Sequence, residues 1–311
     1  MKILFIDKVH TFLSEGLAKH GHICVNAFLQ SKEEIEKNIN IYDGLIIRSR
    51  FKIDDLFLKK AINLKFIARA GSGLENIDVK YAKSKNIYCI NAPEGNKHAV
   101  AEHTIGLILS LFNNILKSSE EIQNNIWLRE ENRGIELQGK TVGIIGFGNT
   151  GSALANLLSS FNLKILAYDK FLNKHKFRSS LEQIYEDADI ISLHIPYNDE
   201  NKYFVNAKFI TNFKKSIYLI NTSRGLCVNT NDVVSGMKNG KIKGVCMDVL
   251  EYETSCFKNL KLEKIAAKNL QYLNNSKNTI LTPHIAGLTK EGELKISQVL
   301  LKKILQLDFC N

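Results

Sequence analysis

Three polar side chains that could carry acid–base or anion-binding chemistry each come a few residues after an apolar run of strand composition. They are Arg224, Glu253 and His284. An arginine can bind a carboxylate through two parallel hydrogen bonds, and a histidine beside a glutamate can donate or accept a proton. Each also has an ordinary structural interpretation: Arg224 as a helix cap, Glu253 as a solvated loop charge and His284 as a hydrogen-bonded core residue. Their shared position after strands favours a common site, because open α/β sheets bind ligands at the carboxyl ends of their strands.

A glycine-rich turn at residues 146–151 has the spacing G-x-G-x-x-G. It follows the apolar run 141–145 and precedes a helical pattern, the order found in dinucleotide-binding units. Gly146 permits the tight turn, Gly148 lets the backbone approach a pyrophosphate at the positive helix N-terminus, and Gly151 lets the helix pack closely on the strand. The turn therefore predicts a dinucleotide site.

An acidic residue, Asp169, ends the next apolar run, 18 residues after Gly151. A carboxylate at this distance can bind the ribose hydroxyls of the adenosine, and it would repel a 2′-phosphate. The sequence therefore favours NAD as cofactor. Nearby cations keep NADP open as an alternative: Lys170, Lys174, Lys176 and Arg178.

Length and composition indicate a globular protein of about two domains. Of the 311 residues, 44% are hydrophobic, and no run of 18 apolar residues predicts a membrane span. In residues 1–7 the apolar run is too short, and a charged residue follows it too soon, for a signal peptide. The composition is typical of a strand. The cysteines lack C-x-x-C spacing and mostly lie in apolar runs, which favours reduced thiols and a cytoplasmic location. They are Cys24, Cys89, Cys227, Cys246, Cys256 and Cys310.

The formal net charge is +10 at pH 7. Because the lysines are spread along the whole chain, we interpret them as solvated faces and expect no nucleic-acid partner. The charge is compatible with an anionic substrate and cofactor. No metal site is expected, since the pairs His20/His22 and His98/His103 lack further ligands at suitable spacing.

Two series of short apolar runs alternate with helical patterns, which predicts an α/β protein with two doubly wound parallel sheets. The predicted strands of the first series are 2–6, 22–27, 45–48, 65–68 and 87–90. Those of the second are 141–145, 164–168, 190–194, 217–220, 245–249 and 279–281. The three prolines, Pro93, Pro196 and Pro283, follow such runs and mark strand ends. A long helical pattern at 96–117 links the two series.

Several motifs, in a fixed order over nearly the whole chain, resemble those of the D-isomer-specific 2-hydroxyacid dehydrogenases. They are RAGSGLENID (69–78), NAPEGNKHAVAEHTIGLIL (91–109), GKTVGIIGFGNTG (139–151), INTSRG (220–225), MDVLEYE (247–253) and TPHIAG (282–287). Within this family the motifs are most similar to those of a short form of D-3-phosphoglycerate dehydrogenase. The resemblance implies oxidation of 3-phosphoglycerate in serine biosynthesis.

The resemblance also implies a domain organisation. A flavodoxin-like substrate domain, 1–92 and 285–311, is split by a Rossmann NAD-binding domain, 93–284. The helix 96–117 is expected to form a homodimer, and no membrane partner is expected.

The site residues implied by the resemblance begin with a catalytic triad of Arg224, Glu253 and His284. Glu251 competes with Glu253, but the spacing from Asp248 favours Glu253. In this scheme His284 exchanges the hydroxyl proton, Glu253 orients the ring, and Arg224 binds the substrate carboxylate. The implied cofactor contacts are Val100, Gly146, Gly148, Asn149, Thr150, Gly151, Asp169, His194, Pro196, Thr222, Ser223 and Asp248. The implied substrate contacts are Arg48, Ser72, Gly73 and Arg224, and Arg50 and Arg69 are further candidates for a substrate phosphate.

One departure from the family pattern lies between Glu253 and His284, which are 31 residues apart. The extra segment, about 255–275, has helical character, and the shape of the substrate pocket depends on it. Hydroxypyruvate, glyoxylate or D-lactate reduction is the alternative within the family. A formate dehydrogenase is disfavoured, because that branch carries glutamine at the position of Glu253. From another class, a non-catalytic NAD(H)-sensing protein shares the fold.

Overall fold

The computed structural model describes residues 1–172, 174–254 and 259–307 and divides into two compact units. The first contains residues 1–97 and 288–307, with Thr254 and Asn259. The second contains residues 98–253 and 260–287. The boundaries predicted from the sequence lie at 92/93 and 284/285, and those of the structure lie at 97/98 and 287/288.

Strands and helices alternate along the described chain. The strands are β1 Lys2–Phe5, β2 Ile23–Asn26, β3 Gly44–Ile47, β4 Phe66–Arg69, β5 Tyr88–Asn91, β6 Thr141–Ile145, β7 Lys164–Tyr168, β8 Ile190–Leu193, β9 Ile217–Asn221, β10 Ile242–Met247 and β11 Thr279–Leu281. The helices are α1 Thr11–Lys19, α2 Lys32–Asn38, α3 Asp55–Lys60, α4 Val79–Ser84, α5 Lys97–Phe112, α6 Ile115–Gln123, α7 Asn149–Leu158, α8 Leu181–Asp187, α9 Ala207–Asn212, α10 Thr230–Lys238, α11 Lys264–Asn275 and α12 Lys290–Leu305.

The first unit is built on a parallel five-stranded sheet in the order β2-β1-β3-β4-β5. This is the flavodoxin-like order, so that part of the fold prediction is confirmed. Every residue of β3 is buried, as expected of a central parallel strand covered on both faces. Helix α12 packs into the same core through Ile296, Leu300 and Ile304. Gly95 permits this packing, because a Cβ atom there would lie 2.6 Å from the backbone nitrogen of Ile296.

The second unit is built on a parallel six-stranded sheet in the order β11-β10-β9-β8-β6-β7. Beyond β7, Ala167 donates to the carbonyl of Phe177 at 2.7 Å and accepts from Ser179 at 2.9 Å. This single parallel bridge acts as a rudimentary seventh strand and completes the Rossmann order. The strand order therefore reverses beside β6, which places the ligand crevice at the carboxyl ends of β6 and β8. The prediction of two doubly wound parallel-sheet domains is confirmed.

The prediction of one continuous helix over 96–117 is wrong. Helix α5 ends at Phe112, Asn114 takes the left-handed conformation with φ +51°, and α6 continues after a bend of 61°. Asparagine adopts this conformation more readily than other non-glycine residues, and two adjacent asparagines, Asn113 and Asn114, favour the break. No single helix in the described part of the chain is long and apolar enough to cross a membrane; α5 and α6 meet that criterion only as a bent pair.

The extra segment after Glu253 contains α11, which confirms its predicted helical character. Helix α11 buries Ala266, Asn269 and Leu273. Residues 255–258 of this segment lie outside the described residues. Of the six cysteines, Cys24, Cys89 and Cys246 are free thiols, and Cys227 lies with its Sγ atom 3.8 Å from the carbonyl of Pro196. Cys256 and Cys310 lie outside the described residues.

Candidate active site

The strand register places the three candidate catalytic residues at one edge of the second sheet. Asn221 of β9 pairs with Met247 of β10, which pairs with Leu281 of β11. The three strands therefore end level with one another, about 4.8 Å apart. Arg224, Glu253 and His284 follow these three ends within a few residues. As predicted, the chemistry-bearing side chains lie after neighbouring strands.

His284 and Glu253 form a direct pair, with 2.7 Å between His284 Nδ1 and Glu253 Oε2. The other carboxylate oxygen, Oε1, accepts a hydrogen bond from the backbone amide of Leu250. Both side chains are mostly shielded from solvent, with 26% and 15% exposed. A carboxylate oxygen accepts hydrogen bonds, so this contact is satisfied when the ring donates from Nδ1, and Nε2 is then the ring nitrogen that could exchange a proton.

The turn that carries His284 is held by the buried carboxylate of Asp248. Oδ1 accepts from the Thr282 hydroxyl at 2.6 Å and from the amide of Ile285 at 2.8 Å, and Oδ2 accepts from the amide of Ala286 at 2.9 Å. His284 itself has φ +56°, a left-handed conformation that is costly for a non-glycine residue and persists only when its surroundings fix it. The observed contacts of Asp248 are thus to the catalytic turn, and its predicted contact with the cofactor stays a prediction.

The two competing glutamates have different partners. Glu253 pairs with His284, whereas Glu251 accepts from the hydroxyl of Tyr203 and from the amide of Thr230, both at 2.8 Å. The hydrogen bond to Glu251, with burial, raises the pKa of Tyr203 to about 12. Glu251 therefore fastens the loop after β10 to neighbouring segments, and Glu253 is the glutamate placed for a role beside the histidine.

Glu251 and Glu253 provide a matched pair of variants. We expect Glu253→Gln to lower kcat by about 10²-fold or more, as loss of an orienting carboxylate does elsewhere. Glu251→Gln should instead destabilise the fold by about 1–3 kcal/mol, because an amide cannot satisfy both donors, and leave kcat near that of the wild type. Steady-state kinetics and thermal denaturation of both variants test this. An equal loss of kcat in both would contradict the assignment.

The turn that carries Arg224 is fixed by Asn221. The Asn221 Oδ1 atom accepts from the amide and the hydroxyl of Ser223, and its Nδ2 atom donates to the carbonyl of Arg224 at 3.1 Å. Gly225 lets this turn touch the loop after β10, because a Cβ atom there would lie 1.9 Å from the carbonyl oxygen of Leu250. Leu250 in turn donates to Glu253, so these contacts tie the arginine turn to the glutamate loop. The sequence analysis missed Asn221 and Gly225 as positioning residues.

The glycine turn after β6 fits a dinucleotide. Gly146 has φ +93°, and a Cβ atom at Gly151 would lie 2.0 Å from the carbonyl oxygen of Gly146. A Cβ atom at Gly148 would meet nothing within 4 Å, so this glycine faces open space at the start of α7. No side chain caps that helix end. The first amides of α7, including those of Asn149 and Thr150, are therefore available for a pyrophosphate.

The glycines give a second matched pair. We expect Gly148→Ala to keep the thermal stability of the wild type while raising the Kd for NADH about tenfold, equivalent to about 1.4 kcal/mol. Gly151→Ala should cost about 1–3 kcal/mol in the free energy of unfolding, because its Cβ overlaps backbone. Fluorescence titration with NADH and thermal unfolding separate the two. Unchanged NADH affinity in Gly148→Ala would contradict a pyrophosphate site here.

His194 supports the glycine turn from the neighbouring strand. Its ring lies between the hydroxyls of Ser192, 2.8 Å from Nε2, and Thr150, 3.2 Å from Nδ1. Burial lowers the pKa of His194 to about 3, so the ring stays neutral at physiological pH. Gly146 lies against the His194 carbonyl, where a Cβ atom would come within 2.5 Å. These contacts position Thr150, one of the predicted cofactor-binding residues.

The carboxylate of Asp169 is turned back onto the glycine turn. Oδ2 accepts from the amide of Phe147 at 2.7 Å, and Oδ1 accepts from the amides of Phe171 and Leu172. Burial acts to raise the pKa of Asp169, but these backbone hydrogen bonds outweigh it and lower the pKa. The group is therefore ionised at neutral pH. A fixed negative charge here suits ribose hydroxyls and disfavours a 2′-phosphate.

The remaining predicted cofactor residues lie at the same edge of the second sheet. The hydroxyl of Thr104 on α5 donates to the carbonyl of Val100 at 2.7 Å and lies 3.0 Å from the Thr222 hydroxyl. Thr104 therefore connects Val100 and Thr222, two of the predicted cofactor residues. Ser223 follows Thr222, and Pro196 follows β8, where its carbonyl accepts from Asn201 at 2.8 Å. Across the described residues, no three His, Cys, Asp or Glu side chains come together as a metal site.

The first unit carries its own polar cluster after β3 and β4. The Arg48 carbonyl accepts from Arg69 Nε at 3.1 Å, and Arg48 Nη1 lies 3.8 Å from Glu293. The hydroxyl of Ser72 donates to Asn96 at 2.7 Å, within the turn that also contains Gly73. A Cβ atom at Gly71 would lie 2.0 Å from Arg69 Nη1, so the arginine packs over the start of this turn.

Arg50 has a structural role that the sequence did not reveal. Its Nη1 atom donates to the carbonyls of Ile6 and Ala27, both at 2.8 Å, and its Nη2 atom donates to the carbonyl of Gln30. The guanidinium is thus committed to the loops after β1 and β2. We therefore discard Arg50 as a candidate for a substrate phosphate.

Comparison with known proteins places this geometry in a family. The family model described as D-isomer specific 2-hydroxyacid dehydrogenase, NAD binding domain, matches residues 105–286. The D-3-phosphoglycerate dehydrogenase of Archaeoglobus fulgidus is 29% identical, over 99% of this chain and 57% of its own length. The hydroxypyruvate reductase of Thermotoga maritima is 33% identical, over 88% of this chain and 87% of its own length.

A solved structure shows the same fold. The D-lactate dehydrogenase of Aquifex aeolicus, complexed with NAD and lactic acid, superposes with a TM-score of 0.82 at 27% identity, over 98% of this chain and 94% of that one. The chain spans about half the length of the phosphoglycerate dehydrogenases that it matches, 57% and 51% for two of them. The match over residues 105–286 coincides with the unit that holds the glycine turn and the His284–Glu253 pair. The family's NAD-binding-domain model thus matches mainly within the second unit, and the chain belongs to the D-isomer specific 2-hydroxyacid dehydrogenases.

Proposed function

We propose that this chain is an NAD-dependent dehydrogenase that interconverts a D-2-hydroxy acid and its 2-oxo acid. The His284–Glu253 pair carries the proposal, because it sets an oriented proton-exchanging group on the same sheet edge as a dinucleotide turn. The nicotinamide cofactor, when bound, supplies the hydride acceptor or donor. The glycine turn and Asp169 would hold its pyrophosphate and adenosine ribose.

The protein side chains supply the proton and the charge. In oxidation, His284 Nε2 accepts the hydroxyl proton, and in reduction it returns that proton to the carbonyl oxygen. Glu253 keeps the ring oriented and stabilises its protonated form. Arg224 binds the substrate carboxylate and stabilises the negative charge that develops on the reacting oxygen.

For the substrate we propose 3-phosphoglycerate, oxidised to 3-phosphohydroxypyruvate in serine biosynthesis. Support comes from the D-3-phosphoglycerate dehydrogenases at 29–31% identity. Arg48 and Arg69, at the ends of the neighbouring strands β3 and β4, are the candidates for the phosphate. With reduced thiols in the described part of the chain, we propose a cytoplasmic location.

Hydroxypyruvate or glyoxylate reduction is the second candidate. The match with this chain covers 87% of a hydroxypyruvate reductase and 81% of a glyoxylate reductase. It covers only about half of the phosphoglycerate dehydrogenases. Arg50 donates from Nη1 and Nη2 to three backbone carbonyls, so these donors are engaged within the protein and one candidate for a phosphate contact is lost.

Side-by-side turnover of four acids tests the substrate. NADH oxidation is measured with 3-phosphohydroxypyruvate, hydroxypyruvate, glyoxylate and pyruvate. A strong preference for the first supports phosphoglycerate, and a preference for the others supports the second candidate. NADH binding without turnover of any acid would contradict the dehydrogenase and favour an NAD(H)-sensing protein.

The variant Arg48→Gln sharpens that test. If Arg48 binds the phosphate, loss of its charged hydrogen bond, worth about 1.5–3 kcal/mol, should lower kcat/KM for 3-phosphohydroxypyruvate about 10- to 100-fold. Activity with glyoxylate should change little. The exposed Arg129, changed to glutamine, is the control. An equal loss with both acids would contradict a phosphate contact.

We also propose a homodimer that uses α6 and the residues after it. Helix α6 has no buried residue, and Leu116, Ile122 and Trp127 are 55%, 52% and 77% exposed. The apolar face of α5, in contrast, is buried within its own unit. A second copy of this chain would cover these three exposed apolar side chains.

Sedimentation of the variant Trp127→Glu tests the dimer and should give a monomer. Leu29→Glu, which changes an exposed leucine outside this surface, should stay dimeric.

A further inference from the structure

His103 contacts the turn that carries the proposed catalytic histidine. It lies on α5, and its Nε2 atom is 3.2 Å from the Thr282 hydroxyl oxygen and 3.6 Å from Asp248 Oδ1. Its side chain is only 23% exposed. These contacts join α5 to the ends of β10 and β11, far from His103 in sequence.

The hydrogen bonds around Thr282 have a defined direction. The Thr282 hydroxyl donates to Asp248 Oδ1 at 2.6 Å, and this bond uses its single proton. The hydroxyl oxygen is left to accept from His103, so the ring of His103 is protonated on Nε2. A series of hydrogen bonds thus runs from His103 through Thr282 to Asp248. The carboxylate of Asp248 also accepts hydrogen bonds from the amides of Ile285 and Ala286.

This chain of bonds bears on the backbone of His284. The left-handed conformation at φ +56° is costly for a non-glycine residue and needs support from its surroundings. Asp248 provides that support. Its carboxylate accepts hydrogen bonds from the amides of the two residues after His284, and its backbone carbonyl accepts from the His284 amide at 2.7 Å. Thr282 and His103 set the orientation of that carboxylate. Without them the turn is free to relax and to lengthen the 2.7 Å contact between His284 and Glu253.

We propose that His103 is a positioning residue that fixes His284 through Thr282 and Asp248. Its kinetic consequence rests on the proposed dehydrogenase function. Misplacement of a reacting group by about 1 Å can cost about 10²-fold in rate. We therefore expect His103→Leu to lower kcat about 10- to 100-fold. The KM for NADH should change much less than kcat, because the glycine turn and Asp169 lie after other strands of the sheet.

Conservative and control variants separate positioning from general stability. His103→Gln retains an N–H donor toward Thr282 and should recover most of kcat. Thr282→Val removes this link and also the hydrogen bond from Thr282 to Asp248, so the double variant with His103→Leu should be no worse than Thr282→Val alone. His98→Leu, at an exposed histidine on the same helix, should behave as the wild type. All rates are taken well below each variant's Tm.

A spectroscopic readout tests the inference without turnover. In ¹H–¹⁵N spectra of the histidine rings, the wild type should show the Nδ1 proton of His284 bonded to Glu253. His103→Leu should shift or broaden that signal, whereas His98→Leu should not. An unchanged signal in His103→Leu overturns the inference, as does unchanged kcat. A wild type that turns over no 2-oxo acid overturns the proposed function instead, and the spectrum still decides the role of His103.

Discussion

Replacement of His284 by alanine is expected to lower kcat by about 10²–10⁴-fold, the range typical of general acid–base catalysis. The physical reason is the loss of the one ring that is oriented by Glu253, at 2.7 Å, on the proposed catalytic edge. NADH binding should persist, because the glycine turn and Asp169 lie after other strands of the sheet. Steady-state kinetics with the best 2-oxo acid and fluorescence titration with NADH measure the two effects.

The backbone of His284 calls for a second variant at the same position. Alanine is strained at φ +56°, whereas asparagine adopts the left-handed region more easily. His284→Asn should therefore be the more stable variant and yet equally inactive, which separates lost chemistry from a disturbed turn. His98→Ala is the control for removal of a histidine. If either His284 variant retained near-normal kcat, proton exchange by this residue would be excluded.

The dinucleotide turn could be predicted from sequence because its requirements are local. Gly146 needs a positive φ, and Gly151 needs room against the carbonyl of Gly146. Both needs are met by one residue type at a spacing that is visible in the sequence. Buried parallel strands such as β3 appear as uninterrupted apolar runs for the same local reason. The position of Arg224, Glu253 and His284 after such runs favoured a common site at one sheet edge, whereas their assignment as a triad came from the resemblance to the family.

The supporting residues could not be predicted because their roles depend on which loops meet. Gly225 is needed only because the loop after β10 passes 1.9 Å from its Cβ position, and nothing in the residues around it indicates that neighbour. Arg50 carries the same charge as Arg48, yet its guanidinium is committed to three backbone carbonyls from two other loops. Asp248 was assigned to the cofactor, and its observed hydrogen bonds are to the turn of His284.

The break between α5 and α6 was missed for a different reason. The apolar pattern continues across Asn113 and Asn114 without losing its helical period, so periodicity alone predicts one helix. The left-handed conformation of Asn114 ends α5, and the chain after the break exposes its apolar side chains. The surface proposed for the dimer therefore differs from the one that an unbroken helix would present.

Replacement of Arg224 by glutamine should have the second large effect on activity. Loss of one positioned donor to a developing oxyanion typically costs about 10²–10³-fold in kcat, and loss of the carboxylate contact should raise the KM for the acid as well. Arg224→Lys keeps the positive charge but not the planar pair of donors, so it should recover only part of the loss. The fold should be retained, because Asn221 holds the backbone of residues 223 and 224, in addition to the hydrogen bond that Arg224 Nη1 donates to the carbonyl of Ser223 at 2.7 Å.

The decisive comparison is between Arg224→Gln and Asn221→Ala. Asn221 makes three hydrogen bonds that shape the arginine turn, so its loss should lower both Tm and kcat/KM, whereas Arg224→Gln should lower kcat/KM alone. Rates are measured across a series of 2-oxo acids with NADH saturating. If Arg224 binds the carboxylate that all these acids share, the loss must be similar for every one of them. A loss of kcat/KM confined to the phosphorylated acid would show that Arg224 binds the phosphate and not the carboxylate. Proton exchange by His284 would then need another group to stabilise the oxyanion.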